Sequence, residues 1–274
     1  MSVEVIRPDW SVHPRVRAAF TLRTGGVSSA PFNTLNLGAH VVDDPSAVAE
    51  NRRRVRAHLG LPCEPAWLQQ VHGVRVVDLD AGTAKPAGAT NEGADAAITR
   101  TASRVCAILV ADCIPVLFAA RDGSAVAAAH AGWRGLAGGV LEATVAALGC
   151  DPAGLSAWLG PGIGPAHFEV GDDVRDAFLE STGPTRLEAT GSARGARPGE
   201  LCVAEPASAF KRNPRGRWQC DLALLARWRL AKLGVTDVHG GNACTYADAA
   251  RFFSFRRDGQ CGRMAALIWL QAAP

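Results

Sequence analysis

Two histidines and one cysteine stand at the ends of apolar runs whose composition is typical of buried strands. His72 lies in LQQVHG, Cys113 in ILVADCIPVLF and His130 in AVAAAHAGWRG. Imidazole and thiolate groups are the ligands of catalytic zinc sites, in which three protein ligands leave a fourth position for water or substrate. The three residues are far apart in the sequence, so only the folded chain can bring them together. Histidine and cysteine at strand ends more often pack in the core or form hydrogen bonds, and residue chemistry alone leaves that alternative open.

The composition limits the class of protein. The chain has 274 residues, of which 48% are hydrophobic and 20% charged, and this is ample for a packed globular core. A formal net charge of +3 provides no strong electrostatic attraction to nucleic acid or to an anionic membrane. The start of the chain, MSVEVIRPDW, lacks the features of a signal peptide, and Asp112 interrupts the longest apolar run. We therefore expect a cytoplasmic protein that binds neither nucleic acid nor membrane.

The cysteines form no recognisable disulfide or zinc-ribbon pattern. Eight cysteines occur without a Cys-x-x-Cys pair, and the chain is too long for a small disulfide-stabilised scaffold. Most of them are therefore expected to be small buried apolar residues. Cys113 differs because it lies between an acid, Asp112, and Pro115, which we expect to interrupt the strand.

Secondary-structure signals place these residues among interleaved strands and helices. A helix is predicted to begin at Asp44-Pro45 and to end at Gly60, and another to begin at Asp221. The predicted strands include WLQQVHG, VRVVDLD, ADAAITR, VCAILVA, IPVLFAA and SAVAAAH. GLAGGVLEATVAAL is predicted to form one helix after His130. His130 would then lie at a strand-to-helix junction, where α/β proteins commonly place their chemistry.

The end of the chain and one internal segment complete the predicted organisation. RFFSFRR and GRMAALIWL are predicted to form a hairpin that turns at Asp258-Gly259. Residues 181–217 are rich in glycine, proline and arginine and have poor periodicity, which indicates a long, partly mobile excursion. Neither a composition break nor a repeat divides the chain, so we expect one mixed domain spanning residues 1–274.

Taken in order, several segments resemble one known family across nearly the whole chain. They are FTLRTGGVSSAPFNTLNLG, DDPSAVAENRRRV, QQVHG, ADAAIT, ADCIPVLF, AHAGWRG, GPGIGPAHFEVG and CTYADAARFFSFRRDGQCGRMAALIWL. This series is similar to that of the laccase-domain family, also called the multicopper polyphenol oxidase-like or YfiH-like family, which is associated with purine nucleoside phosphorylase activity. The resemblance implies an α+β fold with layers in the order α/β/β/α and mixed β-sheets at the centre.

The resemblance also implies a site and a reaction. The metal-binding positions of the family match His72, Cys113 and His130, which implies a Zn²⁺ ion with an exchangeable fourth ligand. Cu²⁺ can take its place, because copper binds such ligands more tightly than zinc. The implied activity is phosphorolysis of adenosine, inosine and methylthioadenosine, together with deamination of adenosine. The implied partners are small purine nucleosides and phosphate, and the oligomeric state is left open.

Two residues near the implied metal are candidates for catalysis. Asp112 adjoins Cys113 and could move protons. Because adjacent residues of a strand point to opposite faces, Asp112 could instead face away and form a structural hydrogen bond. Arg134 follows His130 by four residues and could hold phosphate through a bidentate contact.

Four further residues are candidates for substrate binding. Arg23 and Arg257 could hold phosphate through bidentate contacts. Asn36 could hydrogen-bond the ribose or the base, and Trp133 could contact the substrate. Each has a structural alternative, namely a surface or salt-bridge arginine, a turn-forming asparagine and a core tryptophan.

Other functions are alternatives to nucleoside chemistry. A copper-dependent polyphenol oxidase needs many imidazoles, generally in His-x-His pairs, whereas the seven histidines here are scattered and no two are separated by a single residue. A cysteine amidohydrolase that edits cell-wall precursors would use Cys113 as nucleophile and His130 or His72 as base. A non-catalytic module stabilised by a metal is the third alternative.

Overall fold

Strands and helices alternate along the chain. The computed structural model describes residues 2–81, 93–180 and 205–272, and these ranges contain fourteen strands and six α-helices. The strands are β1 (Val5–Ile6), β2 (Val16–Thr21), β3 (Ala66–Trp67), β4 (Val76–Asp78), β5 (Ala96–Thr99), β6 (Val105–Val110), β7 (Ile114–Ala120), β8 (Val126–Ala131), β9 (Leu155–Leu159), β10 (Glu169–Val170), β11 (Phe210–Arg212), β12 (Trp218–Cys220), β13 (Asp237–Gly240) and β14 (Met264–Leu270). The helices are α1 (Pro45–Leu59), α2 (Trp133–Gly138), α3 (Val140–Leu148), α4 (Asp172–Glu180), α5 (Leu222–Lys232) and α6 (Phe255–Asp258). No helix in the described ranges combines the length and apolar character needed to cross a bilayer.

Two large mixed sheets form the centre of the molecule. The first has six strands in the order β13-β9-β7-β8-β5-β4, and the second has five in the order β1-β2-β14-β6-β3. Three neighbouring pairs are parallel, namely β13 with β9, β4 with β5 and β3 with β6. The other neighbours in both sheets are antiparallel. A third sheet consists of three short strands in the order β10-β12-β11.

The two large sheets pack against each other through one apolar cluster. Ile108 of β6 and Leu117 of β7 both belong to it, although their strands are in different sheets. The next residue of β6, Leu109, points to the opposite side, where it shares a second cluster with Val55 of α1. The five-stranded sheet therefore lies between the six-stranded sheet and α1.

The outer face of the six-stranded sheet is covered by helices. Phe118 of β7 shares a third cluster with Leu141 of α3 and Leu225 of α5. The layers thus follow the order helix, sheet, sheet, helix, and the expected α+β fold with mixed central sheets is confirmed. All residues of β7 and β14 are buried, which explains why these strands are continuous apolar runs rather than alternating ones.

The prediction of one continuous helix after His130 is wrong. The segment forms two helices, α2 and α3, because Gly139 between them adopts a left-handed conformation with φ of 100°. Glycine tolerates this conformation because it has no Cβ. The N–H of Gly139 closes α2 by donating to the carbonyl oxygen of Leu136, and its own carbonyl oxygen then accepts from Ala143 in α3.

The prediction that WLQQVHG is a strand is wrong beyond its first residue, Trp67. Only Ala66–Trp67 pairs with β6. Farther along, the Gln70 side chain makes both contacts with the next part of β6, since its Nε2 donates to the Leu109 carbonyl oxygen and its Oε1 accepts from the Leu109 N–H, each at 2.8 Å. A side-chain amide therefore replaces the backbone pairing, and the main chain is free to turn towards His72.

The predicted C-terminal hairpin is also wrong. Phe255–Asp258 forms α6, and Ser254 caps this short helix by accepting a hydrogen bond from the N–H of Arg257 at 3.2 Å. β14 pairs instead with β2 and β6 in the middle of the five-stranded sheet. The backbone hydrogen bonds on both sides of β14 are therefore made with strands that are distant in the sequence, and a hairpin partner is not needed.

The prediction for residues 181–217 is corrected in its last part. Residues 181–204 lie outside the described residues. Regular structure is already present before residue 217, because Pro206–Ala209 forms a 3₁₀ turn and the following strand β11 pairs with β12. The predicted excursion therefore does not extend over residues 206–212.

Candidate metal centre

His72, Cys113 and His130 converge at one edge of the six-stranded sheet. One potential ligand atom from each residue lies within 4.8 Å of the other two. Cys113 Sγ is 3.8 Å from His72 Nε2, and the two imidazole rings have centroids 4.7 Å apart at an angle of 69°. Among the described residues, this is the one group of three such side chains close enough to share an ion. Two imidazoles and a thiol at these separations are an open zinc-type ligand set.

Antiparallel pairing explains how two of the ligands meet. Cys113 immediately precedes β7, and His130 is the last residue but one of β8. Because β7 and β8 run in opposite directions, the start of one and the end of the other lie at the same sheet edge. Pro115 stands opposite His130 inside β7, so the prediction that it interrupts the strand is wrong.

A fully buried carboxylate, Asp95, holds both histidines. It lies just before β5, and its Oδ1 is 2.8 Å from His130 Nδ1 and accepts a hydrogen bond from the backbone N–H of His72 at 2.9 Å. Its Oδ2 accepts from the backbone N–H groups of Val71 and Gly73 at 3.2 Å and 2.7 Å. The contact with Asp95 assigns the Nδ1 proton to His130 and leaves Nε2 as the atom that faces the cluster.

The backbone of His72 is strained where it presents its ring. Its φ is 61°, in the left-handed region that non-glycine residues rarely adopt and that costs about 1–3 kcal/mol. The three N–H contacts from this loop to Asp95 hold the strained turn in place. Backbone strain that a buried carboxylate holds in place indicates that the position of the His72 ring is important for the function of the site.

The electrostatics of the site favour a thiolate. Burial alone raises the pKa of the Cys113 thiol, but the charge of His130 and hydrogen bonds from His130 and His72 lower that pKa to about 6. Burial likewise lowers the pKa of His130, but the charge of Cys113 and the hydrogen bond to Asp95 raise it to about 9. The metal-free pair is therefore a thiolate and an imidazolium near neutral pH. This donor set fits a borderline-soft divalent ion such as zinc.

Gly132 permits the close approach of the ligands. A Cβ atom built on Gly132 would lie 2.8 Å from His72 Cδ2 and 2.9 Å from Cys113 Sγ, closer than real Cβ contacts. The residue immediately precedes α2, so the chain passes directly against two of the three ligands as it leaves β8. Any side chain larger than that of glycine would displace the ligand atoms.

An open cavity of about 390 Å³ leads to the three ligands. Its walls also contain two phenylalanines, Phe168 and Phe255, two arginines, Arg256 and Arg263, and a histidine, His40. Phe255 is 58% exposed, which is unusual for a large apolar side chain. Apolar walls with a few convergent polar groups are typical of small-molecule sites.

Asp112 lines the cavity beside Cys113, but both of its carboxylate oxygens are engaged. Oδ1 accepts a hydrogen bond from Thr245 Oγ1 at 2.6 Å, and Oδ2 accepts one from the backbone N–H of Arg256 at 2.7 Å. These two hydrogen bonds connect Asp112, the neighbour of Cys113, to the later segment of the chain that contributes Phe255 and Arg256 to the cavity wall. The catalytic role of Asp112 stays a prediction, and its contacts correspond to the structural alternative.

Arg134 and Trp133 lie in the first turn of α2 and do not line the cavity. The guanidinium of Arg134 stacks over the Trp133 ring at 4.4 Å. Trp133 is half-buried and packs against the apolar cluster between the six-stranded sheet and its covering helices. The structure therefore brings neither residue to the ligands, although both follow His130 closely. Their catalytic and substrate-binding roles stay predictions.

Asn36 is fully buried, and its side chain organises a loop next to the cavity. Its Oδ1 accepts hydrogen bonds from the backbone N–H groups of Gly38 and Arg263, at 2.9 Å and 2.8 Å. Its Nδ2 donates to Asp43 at 2.9 Å. The predicted contact with substrate is untested, but these bonds position Arg263, which does line the cavity.

Arg23 and Arg257 are outside the cavity lining and are held by carbonyl groups. Arg23 donates to the carbonyl oxygens of Asn33 and Ala249. Arg257 forms two hydrogen bonds with the Asp258 carboxylate, and its terminal nitrogens also donate to three backbone carbonyls. Their roles in phosphate binding stay predictions, although little of either guanidinium is free to bind a ligand.

Sequence reasoning missed Asp95, Arg263 and Phe255. The one available signal for Asp95 was a charged residue at the start of the apolar strand run ADAAIT, because an acid there must find buried partners. Arg263 and Phe255 stand in the C-terminal segment that was predicted to be a hairpin. Their shared cavity follows from the tertiary fold, which local patterns do not encode.

The other histidines are held away from the three ligands, apart from His40 at the cavity wall. His167 stacks on Tyr246 with ring centroids 4.3 Å apart, and His239 Nε2 is 2.8 Å from an Asp237 carboxylate oxygen. His13 packs against Gly123, and His58 stands in the last turn of α1. These positions do not supply the imidazoles that a cluster of several coppers requires.

Comparison with known proteins agrees with this architecture. The family model described as multi-copper polyphenol oxidoreductase laccase matches residues 17–271. A purine nucleoside phosphorylase of Pseudomonas aeruginosa is 50% identical over 268 residues, which cover 97% of this chain and 98% of the relative. The purine nucleoside phosphorylase YfiH of Escherichia coli is 45% identical over 267 residues, covering 97% and 99% of the two chains.

Solved structures show the same fold. A crystal structure of a Neisseria meningitidis protein superposes with a TM-score of 0.85 at 42% identity, covering 98% of this chain and 99% of that one. The structure of YlmD from Geobacillus stearothermophilus gives a TM-score of 0.76 at 32% identity, with coverage of 94% and 93%. The similarity therefore extends over the whole arrangement of sheets that positions the three ligands.

Proposed function

The chain belongs to the multi-copper polyphenol oxidoreductase laccase family, and we propose that it is a zinc-dependent purine nucleoside phosphorylase. The observation that carries the proposal is the convergence of His72, Cys113 and His130 on a cavity large enough for a small molecule. Relatives named purine nucleoside phosphorylase match nearly the whole chain, which supports a purine nucleoside as the occupant of this cavity. We propose adenosine, inosine and methylthioadenosine as substrates, with deamination of adenosine as a second activity.

The cavity walls suit a purine nucleoside. Phe255 offers an exposed aromatic face beside the polar interior, and a purine can stack on such a face. Phe168 provides a second aromatic wall, over which the Arg256 guanidinium lies at 5.2 Å. The base would therefore be held by stacking, with its ribose directed towards the three ligands.

The metal ion and the protein side chains would have different roles in the reaction. A zinc ion held by the three ligands would supply Lewis-acid chemistry for both activities. In phosphorolysis the bond between ribose C1′ and the purine nitrogen breaks, a phosphate oxygen bonds to C1′, and the purine leaves with a proton on nitrogen. Asp95 holds His130 and the His72 loop in the geometry that the ligands require. In deamination the glycosidic bond stays intact, the oxygen of a water molecule bonds to C6 of the adenine base, and the 6-amino group leaves as ammonia.

A cysteine hydrolase is the second candidate, because Cys113, His130 and Asp95 also have the contacts of a nucleophile, a base and an orienting acid. The position of His72 favours the metal site. A second imidazole 3.8 Å from the sulfur is unnecessary for a single nucleophile and base, whereas a metal site needs it. A multicopper oxidase is disfavoured because four of the seven histidines are engaged away from the cavity.

Product analysis with metal-characterised protein tests the proposal. Adenosine is incubated with and without phosphate, and the products are separated by chromatography. Ribose 1-phosphate and adenine that form only with phosphate would support phosphorolysis, and inosine formed in either condition would support deamination. If neither product pair forms while phenol oxidation consumes oxygen, the nucleoside assignment is overturned.

A cysteine substitution separates the metal site from the nucleophile. Cys113→Ala should lose both the bound zinc and the nucleoside turnover. Cys150→Ala is the matched control, because Cys150 is half-buried and does not line the cavity. Full metal content in Cys113→Ala, or an acyl thioester trapped on the wild-type protein, would favour the hydrolase instead.

A further inference from the structure

The cavity carries more positive than negative charge. Arg256 and Arg263 are permanent cations in its lining, and Asp112 is the one carboxylate among the described lining residues. Both oxygens of Asp112 already accept hydrogen bonds, one from Thr245 Oγ1 and one from a backbone N–H. Neither arginine forms an ion pair with a described residue. An uncompensated pair of guanidinium groups in a cavity favours an anionic ligand.

The Arg263 guanidinium has N–H donors that form no hydrogen bond with a described residue. Its NH1 group donates to the carbonyl oxygens of Cys261 and Gly262, at 2.8 Å and 3.1 Å. Its Nε and NH2 groups donate to no described residue, and the guanidinium lies 5.8 Å from the centre of the Phe255 ring. The side chain is therefore anchored at one nitrogen, and the other two nitrogens form an open fork.

Arg256 shows the same arrangement. Its NH1 group donates to the carbonyl oxygen of Glu169 at 2.9 Å, and the guanidinium lies over the Phe168 ring at 5.2 Å. Its remaining nitrogens have no partner among the described residues. By contrast, the adjacent Arg257 is saturated by Asp258 and by backbone carbonyls, so the open forks are a property of the cavity and not of this segment.

The loop of residues 36–43 keeps Arg263 and His40 together. A Cβ atom on Gly38 would lie 2.7 Å from Arg263 Cγ and 3.3 Å from His40 Cε1, so both side chains pack against this glycine. Asn36 fixes the backbone N–H of Arg263 at 2.8 Å. Burial, followed by the charges of Arg263, Arg52 and His130, lowers the pKa of His40, as expected for a strongly positive end of the cavity.

We propose that Arg263 and Arg256 form the subsite that binds the inorganic phosphate co-substrate. This inference depends on the proposed phosphorylase function, and it places the phosphate in the same cavity as the three metal ligands and beside the aromatic wall of Phe255. The two forks hold phosphate oxygens, and a remaining oxygen attacks ribose C1′ as the bond to the purine breaks. The predicted arginines Arg23, Arg134 and Arg257 are not in this subsite.

Kinetics with separately varied substrates test the subsite. Arg263→Gln and Arg256→Gln should each raise the KM for phosphate by roughly 10- to 100-fold, because each removes a charge-assisted contact. The KM for the nucleoside should change by less than about threefold, since stacking on Phe255 is retained. Arg104→Gln is the matched control, because Arg104 is exposed and lies outside the cavity lining.

Calorimetric titration with inorganic phosphate separates the subsite from the proposed function. If the wild-type protein binds phosphate and both glutamine variants bind it at least about tenfold more weakly, the subsite stands even if no phosphorolysis is found. Unchanged phosphate affinity and unchanged KM in both folded variants would overturn it, even if the wild-type protein is a phosphorylase. Arg263→Lys keeps the charge but loses the fork, so partial recovery of phosphate affinity supports a bidentate contact. Equal loss of phosphate and nucleoside binding would indicate a structural role and would also overturn it.

Discussion

Asp95 connects the two histidines of the site more directly than any other residue described. Its four contacts reach the His130 ring and the backbone of the strained loop that carries His72. Burial alone raises the pKa of Asp95, but the hydrogen bonds from His130 and Gly73 outweigh it and lower the pKa below its ordinary value. The carboxylate is therefore charged at neutral pH and orients both ligands through one anion.

Asp95→Asn should weaken metal binding by roughly 10- to 100-fold, the usual effect of losing an outer partner of a metal ligand. In the wild-type protein both carboxylate oxygens of Asp95 accept hydrogen bonds from N–H groups. In the asparagine variant one of these oxygens is replaced by an NH₂ group, which cannot accept them. Competition with a chromogenic chelator measures the change, and Asp122→Asn at an exposed turn is the control. A metal affinity equal to that of the wild-type protein would show that Asp95 does not position the ligands.

Metal binding near neutral pH should release about one proton from the Cys113–His130 pair. The pKa of Cys113 is lowered to about 6 and that of His130 is raised to about 9, so the metal-free pair holds one proton between these values. The metal requires both groups deprotonated, and that proton must leave. Affinity should therefore fall steeply as the pH drops below about 6, where a second proton competes with the metal.

Calorimetry in buffers of different ionisation enthalpy counts the released protons. A binding enthalpy that does not depend on the buffer would contradict the ion pair. Cys113→Ser should remove the step in affinity near the lowered cysteine pKa, because serine has no group that ionises in this range.

Ligand chemistry and family resemblance were enough to predict His72, Cys113 and His130 as a group, and the structure brings them together. They were not enough for Asp95 and Arg263, because the role of each is defined by neighbours that are distant in the sequence. Asp95 is opposite His130 only through the pairing of β5 with β8, and Arg263 reaches the cavity only through β14. Residue type alone could not distinguish Arg263 from Arg257, since hydrogen-bond saturation decides which is available.

At the scale of elements, strand ends assemble the site. β7 begins, β8 ends and β5 begins at the same edge, since each is antiparallel to its neighbour in this trio. The apolar runs were sufficient to predict these strands, because both faces of the sheet are buried. They were insufficient where another interaction replaced the local pattern, as at Gly139, which divides the helix, and at Gln70, which replaces backbone pairing.

The junction between β8 and α2 should tolerate no side chain at Gly132. Gly132→Ala places a methyl group less than 3 Å from atoms of His72 and Cys113. Overpacking of this kind costs about 1–3 kcal/mol, and we expect metal affinity to fall by roughly 10- to 100-fold. Metal titration measures the effect, and Gly154→Ala is the control because no atom lies within 4 Å of its added Cβ. If both variants bind metal like the wild-type protein, the junction does not constrain the ligands.

At the scale of the whole molecule, the ligands join both central sheets. His130 belongs to the six-stranded sheet and Cys113 immediately precedes its strand β7, whereas the His72 loop follows β3 of the five-stranded sheet. The layered order was expected from the family resemblance rather than from periodicity, because strands buried on both faces carry no alternation to indicate which side faces which layer. The proposal that residues 1–274 form one domain leads to a further expectation for stability.

Metal should stabilise the molecule as a single unit. A ligand present at about a thousandfold excess over its dissociation constant adds about 4 kcal/mol, which corresponds to roughly 10 °C in melting temperature for a chain of this size. Scanning calorimetry of zinc-loaded and chelated protein measures this shift, and Cys113→Ser should show little of it. Two separate transitions, of which zinc moves only one, would contradict a single domain.

X-ray absorption spectroscopy of the purified, metal-loaded protein tests the central claim most directly. Coordination by Cys113, His72 and His130 predicts one sulfur at about 2.3 Å and two imidazole nitrogens at about 2.0 Å, with a further light atom from solvent. In Cys113→Ala the sulfur signal should disappear together with tight binding. A wild-type spectrum without sulfur, or a sulfur signal that persists after this substitution, would contradict the three-ligand site.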